Sequence, residues 1–245
     1  MMSDNADPEA PTRSAALAFA EEMASFWSRQ LGSRRIAAYL IGSLAHGGFS
    51  RRYSDIDMAL IVEDGLGESE FADMRAHAMG LSAELAPKLS LFWADRGFTV
   101  GRFPPLDRVD LVDHAVALDE RERVWPPRPA LAEIRTYLRG TPFANWRDGA
   151  RLFATATTLA PADRKPFIRA LLYPARFVYS WMTGAMASND EAVAFTAAVA
   201  PAGLDLGLIE SALSCRRAAD DPDALFGARS ALPRQVDACA RLLDQ

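Results

Sequence analysis

The sequence predicts an α+β chain, with a small mixed sheet flanked by helices over residues 13–125 and an all-α bundle over residues 126–245. Three observations carry that prediction. Short apolar runs alternate with segments of helical period up to Trp125, the cluster Trp125-Pro126-Pro127-Arg128-Pro129 then breaks the chain, and everything beyond it reads as helix. The 245 residues leave room for one large or two small domains. Half of them are hydrophobic and 24% charged, ordinary globular usage that excludes a disordered protein or a highly charged coiled coil.

Residues 1–12 are acidic and contain Pro8 and Pro11, and are expected to be disordered. From Ser14 to Leu31, Leu17, Phe19, Ala20, Met23, Phe26 and Trp27 recur at helical spacing, and Gly32 stops the helix. Ile36 to Ile41 is a buried strand that runs into a tight turn at Gly42-Ser43. The polar stretch Leu44 to Ser54 carries Gly47 and Gly48, and a second strand spans Asp55 to Val62. Ser69 to Pro87 reads as helix, Leu89 to Ala94 as a third strand, Leu106 to His114 as a short helix and Ala115 to Leu118 as a fourth strand. Six helical segments follow: 130–139, 146–159, 165–182, 190–200, 204–218 and 222–243, separated by Gly, Pro or Asn-Asp turns.

Charge and cysteine usage narrow the function classes. Thirty-two acids against 27 bases give a net charge of -5, the wrong sign for non-specific attachment to nucleic acid or to an anionic membrane. An anionic ligand therefore needs a local basic cluster. The two cysteines, Cys215 and Cys239, lack zinc-site spacing, and no stretch holds about 18 uninterrupted apolar residues or the charged start of a signal peptide. The expected location is cytoplasmic.

The informative stretch runs from Leu40 to Asp57. Residues two apart on a strand face the same way, so Asp55 and Asp57 project two carboxylates onto one face. Such a pair calls for a cation between them, and a hard divalent ion suits it: magnesium commonly binds one or two carboxylates together with substrate phosphates. Upstream, Gly42 lets the backbone approach a ligand closely, and Ser43 offers a hydroxyl and opens a helical turn whose N–H groups favour an anion. Arg51 and Arg52 can offset polyphosphate charge, the guanidinium fork matching phosphate oxygens. His46 reads either as an exposed loop residue or as a contact to phosphate or base. Together these features describe a nucleoside triphosphate site with its metal.

Gly42-Ser43, about ten residues, then Ser54-Asp55-Ile56-Asp57 resembles the signature of the DNA-polymerase-beta-like nucleotidyltransferase superfamily. The resemblance implies that Gly42, Ser43 and Ser54 help to seat the triphosphate, that Asp55 and Asp57 ligate Mg2+, and that a third acid from a later strand completes the site. The central position of that strand is Ser90. Asp95, at the strand's end, is the expected catalytic acid, with Asp107 and Asp110 on the following helix as alternatives.

In the helical half, Arg176-Phe177-Val178-Tyr179-Ser180-Trp181-Met182-Thr183-Gly184, followed by Ala187-Ser188, is similar to a segment of streptomycin/spectinomycin-type aminoglycoside adenylyltransferases. That likeness implies transfer of AMP from ATP to an antibiotic hydroxyl, in a cleft between the two domains. The acids which receive a cationic drug in that family are unmatched, however: Pro166 and Phe167 fall at their positions. Tyr173, Arg176 and Tyr179 recur every three residues and are the expected acceptor-binding residues. The sequence thus predicts a Mg-dependent nucleotidyltransferase with ATP as donor and a small-molecule acceptor, with a homodimer left open. Two alternatives stand beside it: a protein adenylyltransferase of the minimal, toxin-antitoxin type, and an impaired nucleotide-binding regulatory protein.

Overall fold

The computed structural model describes residues 11–244. The expectation of disorder over residues 1–10 lies outside them, whereas Pro11 is buried and the Thr12 hydroxyl accepts the Ala15 N–H as a helix N-cap. The chain forms two compact units, one closing at Arg128 and the other opening at Pro129.

In the first unit, α1 (Arg13–Leu31) buries Phe19, Met23, Phe26 and Trp27 along one stripe and ends at Gly32, whose φ of 52° would strain any other residue. Then come β1 (Arg35–Leu40), α2 (Gly42–His46), β2 (Ile56–Val62), α3 (Glu68–Leu81), β3 (Leu89–Asp95), β4 (Gly101–Arg102), α4 (Pro105–His114) and β5 (Val116–Glu120). The strands lie in the order β4-β3-β2-β1-β5; β2 and β3 are parallel and the other pairs antiparallel.

Both faces of the sheet are covered. Leu40, Ile56, Met58, Leu60 and Val62 pack with α1 and α3, while Tyr39, Ile41, Ala59, Ile61, Phe92 and Ala94 pack with Leu111 of α4. This double burial is why β1 and β2 read as nearly unbroken apolar runs. Strand alternation puts Asp57 on the face of Ala59 and Ile61, towards α4.

The second unit contains α5 (Leu131–Arg139), α6 (Thr141–Thr155), α7 (Arg164–Thr183), α8 (Asn189–Val199), α9 (Leu206–Ala218) and α10 (Leu232–Leu243). Its centre is α7, which buries Phe167, Ile168, Leu171, Leu172, Phe177, Val178 and Trp181. Pro174 sits inside this helix and has no N–H for the carbonyl of Ala170, so that carbonyl accepts the Trp146 indole N–H instead, at 2.9 Å. Gly184, at φ 68°, closes α7, and Ser188 with Glu191 forms a capping box that opens α8. The final segment differs from the continuous helix expected over 222–243: Pro222–Ala231 is a 3₁₀ run, and the α-helix starts only at Leu232. Among the described residues, no helix is long and apolar enough to cross a membrane.

Candidate functional site at the β1–β2 rim

β1 gives way to α2 at Ile41-Gly42, beside the start of β2. The Ile41 N–H donates to the Asp57 carbonyl at 3.0 Å, which brings the turn against β2. Gly42 adopts φ 65°, and a Cβ built on it would overlap the Asp57 carboxylate. Glycine is therefore required twice over, for its backbone conformation and for the space that the carboxylate fills.

The Gly42 N–H donates to Oδ2 of Asp110 at 2.6 Å. Asp110 lies on α4 and is buried, and its Oδ1 is 3.6 Å from Nε2 of His46. One carboxylate thus engages both ends of α2. His46, with a side chain only 10% exposed, belongs to this buried arrangement and packs against His114 at a ring separation of 5.2 Å.

Ser54 fixes the loop that leads to the acids. Its Oγ accepts from the Ser43 hydroxyl and from the Ser50 N–H, both at 2.9 Å, and its own N–H returns to the Ser50 carbonyl. Ser43 and Asp55 are thereby held in one piece of structure. Arg51 and Arg52 lie within the same loop, and Nζ of Lys88 donates to their carbonyls at 3.0 and 3.5 Å. Sequence reasoning missed Lys88, whose contact bridges residues far apart in the chain.

Gly42, Ser43, Arg51, Arg52, Ser54, Asp55 and Asp57 therefore gather at one rim of the sheet, and Asp95 does not join them. Parallel pairing sets Ser90 directly opposite Asp57. Asp95 is five residues further along β3, roughly 16 Å at the usual rise per residue. It also shares the phase of Leu89, Leu91 and Trp93, which pack on the α1 and α3 side, away from Asp57. Its oxygens accept the N–H groups of Gly97, Thr99 and Val100 and the Thr99 hydroxyl. These bonds, that from Val100 foremost, hold its carboxyl below the usual aspartate range. Asp95 is the anchor of the β3–β4 turn.

Tyr173, Arg176 and Tyr179 lie on α7 and do not form one polar face. Tyr173 stacks on Trp146 of α6 at 4.6 Å, and burial raises its hydroxyl pKa. Tyr179 meets Phe195 of α8 edge-on at 5.2 Å, while Arg176 is exposed. A three-residue spacing slips by roughly 60° per step on an α-helix, so the two tyrosines diverge.

Among the described residues, no group of three or more His, Cys, Asp or Glu side chains could hold a metal ion without a ligand's help. The donor set at the rim still fits magnesium bound together with a nucleotide, since two hard carboxylate oxygens can share the ion with substrate phosphates.

No protein-family model and no curated protein matches the chain in sequence. Among solved structures, it is similar to spectinomycin adenyltransferase AAD(9) from Enterococcus faecialis, crystallised with ATP and spectinomycin. The TM-score is 0.66, over 94% of this chain and 98% of that one, at 11% sequence identity. The two share a fold. At this identity the likeness rests on the path of the chain, and the residues described above carry any chemistry.

Proposed function

We propose that the chain is a nucleotidyltransferase that moves a nucleoside monophosphate, AMP from ATP, onto a hydroxyl of a small-molecule acceptor. The observation that carries this reading is the contact between Gly42 and Asp57, which sets the Gly-Ser turn against the acid pair on an adenyltransferase-like fold. The acceptor oxygen attacks the α-phosphorus and gives up its proton to solvent, the bond from that phosphorus to the β-phosphate bridging oxygen breaks, and pyrophosphate leaves.

Asp55 and Asp57 would hold Mg2+, which when bound with the nucleotide offsets the charge developing on the phosphates. Ser43, tethered to Ser54, presents its hydroxyl to the triphosphate, and Arg51 and Arg52 bring positive charge along the loop. An aminoglycoside-like antibiotic heads the acceptor series because of the neighbour's co-crystallised ligand. The full chain is titrated with ATP, with and without Mg2+, by calorimetry. Binding that requires Mg2+ is expected, and Asp57→Asn should abolish the Mg2+ requirement together with tight binding. Equal affinity without the metal would sink the site assignment.

Ser90 favours a second reading, a nucleotide-binding protein with little or no turnover. A missing general base typically costs about 100-fold to 10,000-fold in rate. Mg-dependent ATP binding with no pyrophosphate release across the acceptor series would select it.

A further inference from the structure

We propose that the rim takes its nucleoside triphosphate with a single divalent cation, and that the Lys88 ammonium supplies the positive charge a second ion would bring. This rests on the reading of the rim as a nucleotide site.

Oxygen donors are the first argument. Two metal ions about 4 Å apart need carboxylates to bridge and flank them. Asp55 and Asp57 enter β2 at the rim, but the residue opposite Asp57 is Ser90. Asp110, the other acid beside the turn, has Oδ2 on the Gly42 N–H, while its buried Oδ1 makes no hydrogen bond and lies on the His46 side, 3.6 Å from Nε2. Asp95 is on the far side of the sheet and engaged in its own turn.

Lys88 is the second. It closes the 3₁₀ turn Ala86–Lys88 that leads into β3, and its Nζ is fixed on the carbonyls of Arg51 and Arg52, just upstream of Asp55. The register pairing Ile56 with Leu89 makes Asp55 and Lys88 the residues that immediately precede adjacent parallel strands. A second dication there would meet an ammonium at short range, which is repulsive.

Mn2+ serves as the probe, with α,β-methylene ATP, which cannot transfer its nucleotidyl group. Electron paramagnetic resonance counts bound Mn2+ per full-length chain. One nucleotide-dependent ion is expected, and two would overturn the proposal. Lys88→Gln keeps a donor for the Arg51 carbonyl but removes the charge. It should weaken analogue binding about 10-fold, the weight of a charged hydrogen bond, at an unchanged melting temperature. Unchanged affinity would overturn the role of Lys88. The double variant Lys88→Gln/Ser90→Glu removes the cation and adds a carboxylate opposite Asp57, and should admit a second Mn2+; a count that stays at one overturns the assignment of Lys88. If the wild-type chain binds no analogue with or without Mn2+, it is the nucleotide-site reading that has failed.

Discussion

Ser90 stands directly opposite Asp57 across the parallel β2–β3 pair, on the sheet face that carries Ala59 and Phe92. A hydroxyl therefore occupies the place where a carboxylate could take a proton from an attacking acceptor. Ser90→Glu is expected to raise pyrophosphate release with a competent acceptor by about 100-fold, the lower end of what a positioned base contributes. A coupled phosphate assay measures this; no gain would mean that proton removal does not limit the reaction.

Gly42→Ala should damage both the fold and the site. The new methyl meets the Asp57 carboxylate and the residue must hold φ 65°, so a loss of about 1–3 kcal/mol is expected. Thermal melts and ATP calorimetry on the same sample should decline together. A variant that melts as the wild type does and binds MgATP normally would refute the close approach.

Asp110→Ala leaves the Gly42 N–H without its acceptor and removes the carboxylate facing His46. An unpaired buried donor costs about 1–3 kcal/mol. Asp110→Asn keeps an oxygen for that N–H and should recover most of the stability in a denaturant titration. If the two variants unfold at the same midpoint, the bond to Gly42 is not what Asp110 contributes.

Asp95→Asn separates the turn anchor from the site. The folded carboxyl ionises below the usual aspartate range, so its contribution to stability is complete above the unfolded value near 4 and fades as pH falls through the lower folded value. Melting curves from pH 7 to pH 3 should show that the variant is the less stable at neutral pH and that the difference shrinks in acid. MgATP affinity should stay within about 2-fold, well under the 1.4 kcal/mol that marks a tenfold change. A large loss of affinity would return Asp95 to the site.

The rim was legible in the sequence where its parts are close in the chain. Gly42, Ser43, Ser54, Asp55 and Asp57 flank one loop, and apolar runs followed by turn residues mark β1 and β2. Lys88 and Asp110 reach the same rim from the turn before β3 and from α4, and no local spacing announces contacts made across folded elements. The Asp95 expectation followed proximity in sequence, but strand alternation and the demands of the β3–β4 turn took that side chain elsewhere. β4 is two residues long and leaves no periodicity to read. The Tyr173, Arg176 and Tyr179 series reads as a face only if the helical period is taken as three. At 3.6 residues per turn, Tyr173 stacks on Trp146 and Tyr179 packs on Phe195.

The parallel pairing of β2 with β3 divides the rim into a local part and a distant one. Gly42 and Asp57 meet across α2 and one loop, a contact of low loop-closure entropy. Ser90 and Lys88 reach them only across the α3 crossover, contacts of longer sequence separation. Changes confined to β3 can therefore alter what the rim does while leaving the Gly42–Asp57 contact in place.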